Sequence, residues 1–155
     1  MMTGVGENGP REDRLLRVFV VEDSPVLQER LCEICTNLGR SRIVGYAKRA
    51  RDAIALLEVL QPQFVIVDLW LEQGSGFEVM KWLQSQPPAS RPVYAVFSSN
   101  NDQQHAAHAL QLGAAAFFDK ARDIMALVAF LRKVGDARHD LQQRGHTSAE
   151  QPRTP

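Results

Sequence analysis

Four short stretches of the chain carry residues that could do chemistry. The adjacent acids Glu22 and Asp23 follow the apolar run Val18–Val21, and Asp68 follows "FVIV". Ser98 follows "VYAVF", and Lys120 follows "AAFFD". Each alone reads as a turn, a helix cap or a solvated charge. Together they read differently. Three carboxylates in one pocket cannot all stay ionised without a counter-charge. A hard divalent cation is the usual remedy. Mg²⁺ takes oxygen ligands and binds through one or two carboxylates plus phosphate oxygens. A lysine pairs with a carboxylate or a phosphate oxygen, and a serine hydroxyl hydrogen-bonds a phosphoryl oxygen. That set suits phosphoryl transfer onto a carboxylate, with Asp68 as the nucleophile that becomes an aspartyl-phosphate.

The elements between these residues must bring them together. Val18–Val21, Ile43–Ala47, Phe64–Val67, Val93–Phe97 and Ala115–Phe118 read as strands. The third and fourth are near-continuous apolar runs, as expected of parallel strands covered on both faces. Helices are expected between them. The first follows Ser24-Pro25, a capping residue and then proline at the first helical position. The others cover about Ala50–Leu60, Gly76–Gln84, Asp102–Leu112 (closed by Gly113) and Ile124–Val134. Five alternations of strand and helix imply an α/β fold: an open, doubly wound, five-stranded parallel sheet with helices on both sides. In such sheets ligands bind beyond the carboxyl ends of the strands. Glu22, Asp23, Asp68, Ser98 and Lys120 all fall there, on one edge.

Bulk properties narrow the function. The chain has 155 residues, enough for one domain, with 45% hydrophobic residues and 18 basic against 18 acidic side chains. A formal net charge of zero argues against a nucleic-acid coat or a polybasic membrane anchor. No apolar run reaches the roughly 18 residues of a membrane span, and the start lacks a signal-peptide pattern. The reading is cytoplasmic. Cys32 and Cys35 in "LCEICTNL" share one helix face with Leu31, Ile34 and Leu38, so they read as packing cysteines in a reducing compartment, not as a metal or redox pair. Residues 1–13 read as a flexible lead, 14–135 as the folded domain and 136–155 as a polar, disordered tail with no output domain.

These residues resemble the receiver domain of bacterial two-component response regulators, over about Leu16 to Val134. "VFVVEDS" resembles the family's acidic pair after strand one. "PQFVIVDLWLEQGSGFEVM" resembles its phosphoacceptor segment, including the glycine eight residues beyond the Asp, here Gly76. "VYAVFSS" resembles its switch hydroxyl, and "LGAAAFFDK" the stretch leading to its strand-five lysine. The resemblance implies a flavodoxin-like (βα)5 fold with strand order 2-1-3-4-5. It implies that Glu22, Asp23 and Asp68, with the backbone carbonyl of Trp70, hold Mg²⁺. It implies that Asp68 takes a phosphoryl group from a sensor histidine kinase or histidine phosphotransfer protein, with Ser98 and Lys120 on the phosphoryl oxygens. Ser98 and Phe117 would be the switch pair. Phe117 lacks the hydroxyl that the family often has there, so its ring would be governed by packing.

Three positions depart from the family's pattern. Glu72 stands where a proline is usual four residues after the phosphoacceptor, so the loop loses a φ restraint and gains a charge. Ala121 stands where a proline commonly follows the lysine. A cis bond there would cost about 2.5–4 kcal/mol, so a trans bond and a shifted loop are expected. Trp70 is bulky and would hinder a water attacking at Asp68. None of these changes removes a group that the reaction needs.

The expected output is a protein contact on helix four, strand five and helix five, biased by phosphorylation. It involves a downstream protein target, no direct nucleic acid and no membrane insertion, and it is compatible with a homodimer on phosphorylation. The kinase-facing surface would lie at Pro25, Val26 and Leu27. The basic cluster Lys48–Arg51 reads as a solvated loop and helix start. His105 and His108 lie three apart, a metal pair with no third ligand, and read as surface or partner-facing histidines. The main alternative is a phosphorylation-independent interaction module on the same fold. An aspartyl hydrolase would need a second Asp where Trp70 stands, so the chain reads as a signalling receiver and not as an enzyme. A flavin site would need a Ser/Thr-rich loop where Glu22 and Asp23 stand.

Overall fold

The computed structural model of the protein describes residues 12–99 and 102–147. After a short 3-10 turn, Glu12–Arg14, strands and helices alternate: β1 Leu16–Val21, α1 Pro25–Leu38, β2 Ser41–Ala47, α2 Ala50–Leu60, β3 Phe64–Val67, α3 Gly76–Ser85, β4 Val93–Ser98, α4 Gln103–Gln111, β5 Phe117–Asp119 and α5 Ile124–Thr147. All strand pairs are parallel, in the order β2-β1-β3-β4-β5. This is the doubly wound, flavodoxin-like order expected from the sequence.

The alternation of side chains along each strand divides the core in two. Phe19, Val21, Val65, Val67, Tyr94 and Val96 point to the face covered by α2, α3 and α4, against Leu57, Met80, Leu83 and Ala109. Val18, Val20, Phe64, Ile66, Ala95 and Phe97 point to the other face, against Leu31 and Cys35 of α1 and Leu127 and Leu131 of α5. Every residue of β3 is buried, which explains its unbroken apolar run.

Helix boundaries follow local chemistry. The Ser24 side chain accepts from the Leu27 N–H, Pro25 occupies the first turn, and Gly39 at φ 67° ends α1. The Asp102 side chain accepts from the Gln104 N–H at the start of α4. Gly113, at φ 92°, lets the chain reverse against the Tyr94 hydroxyl, a conformation open to glycine at no steric cost.

Three expectations need correction. The fifth helix does not stop at Val134 but runs to Thr147, so residues 136–147 are helical and not a disordered tail. Gly135 packs beside the backbone of Arg40, and Asp136 pairs with the Arg40 guanidinium at 2.7 Å. Once a helix is nucleated, propagation adds one hydrogen bond for each residue fixed, and Ala137, Arg138, Leu141 and Gln142 are strong helix formers. Apolar periodicity vanishes there because no core faces those turns. The rest of that tail, 148–155, and residues 1–11 of the lead lie outside the described residues. The fifth strand starts at Phe117 and not at Ala115, although pairing begins earlier: the Ala115 N–H donates to the Tyr94 carbonyl at 2.8 Å. The cysteines do not share one environment. Both are free thiols, but Cys35 is buried and Cys32 exposed, because three residues turn a helix about 60° short of a full circle. Burial pushes the Cys35 thiol up to about 11.

Candidate phosphoacceptor site

The carboxyl edge of the sheet sets the site residues at one level. The Glu22 N–H still donates to the Ala47 carbonyl and the Asp68 N–H to the Val21 carbonyl, both at 2.9 Å. The Lys120 N–H donates to the Ser98 carbonyl at 3.0 Å. Each functional side chain therefore leaves its strand where the ladder ends. Carboxylate oxygens of Glu22, Asp23 and Asp68 lie within 4.8 Å of one another. Lys120 reaches across from β5, its Nζ 2.7 Å from Glu22 Oε2 and 2.8 Å from Asp68 Oδ2. The sequence placed these four residues at strand ends, and the fold brings all four together.

Burial makes this a tense arrangement. Glu22 is 2% exposed and Asp68 4%. Burial pushes the Glu22 carboxyl up to about 7, and the nearby Asp68 charge adds to this, while Lys120 pulls the other way. Burial alone would lower the Lys120 ammonium, but its hydrogen bonds to Asp68 and Glu22 more than offset that and raise it. One lysine thus serves two acids that repel each other. The Ser24 N–H donates to Glu22 Oε1 at 3.1 Å, and the Trp70 N–H to Asp68 Oδ1 at 3.3 Å.

The donor set fits a hard divalent cation. Three carboxylates converge, with Asp23 half-buried and the other two buried, and neither sulfur nor imidazole is among the clustered ligands. Ser98 is fully buried, and its Oγ has no hydrogen-bond partner among the described residues. Buried hydroxyls are nearly always paired, so an orphan beside an acidic pocket marks a place for an acceptor. Phe117 is half-buried against the core under α3 and α4.

Gly76, the first residue of α3, is fixed by close approach. A Cβ there would run into the Asp68 carbonyl oxygen and lie 2.9 Å from Val67 Cγ1. Its N–H donates to the Leu69 carbonyl at 3.0 Å, closing the loop that carries Asp68.

Glu72 and Ala121 have local reasons to be other than proline. The Glu72 N–H donates to the Lys48 carbonyl at 3.3 Å, and its carboxylate lies 3.6 Å from the Arg49 guanidinium. The Ala121 N–H donates to Asp119 Oδ1 at 2.6 Å. Proline could make neither bond. The Lys120–Ala121 peptide is trans, as all the described peptides are.

The sequence reading missed one contact. His105 is not simply a surface histidine: its ring lies 5.4 Å from that of Trp70, edge-on at 86°. It also meets Phe77 at 5.9 Å, and His108 stacks on Phe77 at 4.6 Å. The pattern of one aromatic two residues beyond Asp68, another at the start of α3 and a histidine pair on α4 was legible only as separate signals. Asn100 lies outside the described residues.

Comparison with known proteins agrees with this geometry. The response regulator receiver domain family matches residues 18–132. Among curated proteins, the chain is 27% identical over 106 residues to a protein-glutamate methylesterase/protein-glutamine glutaminase of Syntrophus aciditrophicus (strain SB), covering 68% of this chain and 30% of that one. It is 31% identical over 106 residues to a protein of the same description from Myxococcus xanthus (strain DK1622), with the same coverage. The chain thus spans less than a third of the length of these relatives. Among solved structures, the response regulator domain of Thermotoga maritima CheB superposes with a TM-score of 0.69 at 22% identity, over 81% of this chain and 97% of that one. The signal receiver domain of a DNA binding response regulator protein (merR) from Colwellia psychrerythraea 34H superposes at 0.71 and 20%, over 78% and 98%. No helix among the described residues is long and apolar enough to cross a membrane. With the family matched from β1 into α5, and with Glu22, Asp23, Asp68, Ser98 and Lys120 at the ends of neighbouring strands on one sheet edge, the chain belongs to the response regulator receiver domains of two-component signalling.

Proposed function

We propose that Asp68 accepts a phosphoryl group, in a Mg²⁺-dependent reaction, from a histidine kinase or histidine phosphotransfer protein. The observation that carries this reading is the convergence of Asp68, the Glu22–Asp23 pair and Lys120 beside the unpaired Ser98 hydroxyl. Bound Mg²⁺, held by Glu22, Asp23, Asp68 and the Trp70 carbonyl, would neutralise charge that develops on the transferred group.

The protein's own groups do the rest. An Asp68 oxygen attacks phosphorus, and the bond to the donor's imidazole nitrogen breaks, leaving its electron pair on that nitrogen. Lys120 exchanges part of its pairing with Glu22 and Asp68 for a phosphoryl oxygen, and the Ser98 hydroxyl donates to another. Withdrawing Ser98 toward the group moves the end of β4, next to α4 and to Phe117 on β5. The α4–β5–α5 surface is then the one that changes its affinity for a downstream protein, or for a second copy, by differential contact in the two states. The residue two beyond Asp68 is Trp70, not a second acid for acid–base work. The protein therefore carries the phosphoryl group as a signal and does not turn over a small phosphate ester. Its free cysteines suit a reducing, cytoplasmic setting.

The test is loading by acetyl phosphate, with and without Mg²⁺, on wild type and Asp68→Asn, read by intact mass. Mg²⁺-dependent gain of one phosphoryl group in wild type alone is expected. A wild type that gains none and shows no change with beryllofluoride would overturn the reading in favour of a constitutive interaction module.

A further inference from the structure

We propose that His105, on α4, is a positioning residue that holds the Trp70 ring across the mouth of the Asp68 site and so prolongs the life of the phosphoryl group. This rests on Asp68 being the phosphoacceptor.

The geometry starts at the loop after β3. Trp70 is tied there through its backbone: its N–H donates to Asp68 Oδ1 at 3.3 Å, and it bridges to Ser75. The indole has no core around it and is 49% exposed. Asp68, two residues earlier, is 4% exposed. A half-exposed ring on a loop takes its place from whatever few contacts it makes. Among the described residues, Trp70 has the His105 imidazole as its aromatic neighbour, edge-on at 5.4 Å. A T-shaped pair sets the positive edge of one ring on the negative face of the other.

His105 is itself braced. It lies on the third residue of α4, and its ring meets Phe77, the second residue of α3, at 5.9 Å. The bracket therefore joins α4 to both ends of the loop that carries Asp68. β3 and β4 are neighbours in the sheet, with Val67 paired to Val96. The Trp70–His105 contact thus ties the loop that carries Asp68 to the helix that follows Ser98. The proposed place of the indole is over the gap between these two strand ends, where a phosphoryl group on Asp68 would sit.

Loss of the group by hydrolysis needs a water at phosphorus, opposite the Asp68 oxygen. The water oxygen bonds to phosphorus, and the bond from phosphorus to the Asp68 oxygen breaks with its electron pair staying on the carboxylate. Both water protons leave on dihydrogen phosphate, and no other reactant is needed. The approach is from the solvent side, where the indole stands. A ring held by His105 blocks it, and a ring set free opens it.

The experiment loads the protein with acetyl phosphate and Mg²⁺, removes the donor, and follows the loss of the phosphoryl mass. Wild type is compared with His105→Ala, His105→Phe and His108→Ala. His105→Ala is expected to lose the group about two- to tenfold faster, the population change that loss of one ring pair brings. His105→Phe restores a flat ring and should return the half-life to near wild type. His108→Ala touches Phe77 but not Trp70 and should stay near wild type. Acrylamide quenching of the unphosphorylated protein in a Trp82→Phe background, where Trp70 is the one indole left, reads the same ring and should rise with His105→Ala alone. Should that variant not fold, His105→Leu gives the same comparison with the bulk kept. An unchanged half-life in His105→Ala, or one equally short in His105→Phe, overturns the positioning role while leaving Asp68 as phosphoacceptor. A wild type that never gains the group removes that reading, and this one with it.

Discussion

Ser98→Ala should push stability and function in opposite directions. Ser98 is fully buried and its Oγ has no partner among the described residues. Burying a hydroxyl unpaired costs about 1–3 kcal/mol by mutational measures. Removing it recovers most of that, less a few tenths for the poorer packing around the small void. The metal-free variant should therefore be more stable by about 1 kcal/mol, an upward shift of about 0.5 M in the urea midpoint. With a phosphoryl mimic in place the sign reverses. The hydroxyl then donates to a charged acceptor, a bond worth about 1.5–3 kcal/mol, so beryllofluoride with Mg²⁺ should bind roughly 10- to 150-fold more weakly. Both numbers come from one preparation: urea unfolding in EDTA, then a beryllofluoride titration followed by tryptophan fluorescence. A variant clearly less stable than wild type, or one that binds beryllofluoride as wild type does, would refute the argument. The first result would mean that the hydroxyl is already satisfied, the second that it does not face the acidic pocket.

Other expectations come from the same geometry. Folded Glu22 keeps its proton up to about pH 7, against 4.5 for the ordinary carboxyl, so its contribution to stability is full below pH 4.5 and is lost as the pH rises through about 7. The difference amounts to up to about 3 kcal/mol; in EDTA, wild type should lose stability relative to Glu22→Gln across that window, and a parallel pair of pH profiles would contradict this. Ala121→Pro removes the N–H held by buried Asp119 and should lower the unfolding free energy by about 1–3 kcal/mol in urea. Gly76→Ala drives a methyl into the Asp68 carbonyl; it should cost about 1–3 kcal/mol and slow phosphoryl loading, which intact mass would detect.

Much of this was legible in the chain because the relevant signals are local. "FVIVD" announces a strand buried on both faces with an acid at its mouth, and Ser24-Pro25 announces the helix that follows. The site was legible because four such strand ends share an edge in any right-handed parallel sheet. What stayed hidden depends on contacts between distant segments. Nothing near His105 signals that an indole thirty-five positions earlier lies against it. The helix past Val134 was hidden for another reason: its last turns face no core, so they carry no periodicity, and a polar stretch reads alike whether it is coil or helix. The burial of Cys35 beside exposed Cys32 turns on a rotation too small for a pattern of spacing to resolve.

Glu22, Lys120 and Ser98 support one argument about switching. Each is held in the folded protein in a state it would improve on with a phosphoryl group and a cation nearby. Glu22 holds a proton near neutrality because burial and Asp68 outweigh Lys120. Lys120 divides its charge between two acids at 2.7 and 2.8 Å, and Ser98 has a donor to spare. A ligand shifts a two-state equilibrium only by the difference in its free energy of interaction with the two states. An apolar or fully satisfied pocket would offer little difference to exploit. Moving a population from 1:99 to 99:1 takes about 5.5 kcal/mol. One charge-assisted bond from Ser98 supplies about 1.5–3 kcal/mol of it, and relief of the Glu22 carboxyl is of similar size. The unsatisfied state of these three groups would thus supply energy on the scale that a phosphorylation switch at Asp68 requires. It does so without the hydroxyl that Phe117 lacks on β5, so ring packing there has only to follow the movement of β4.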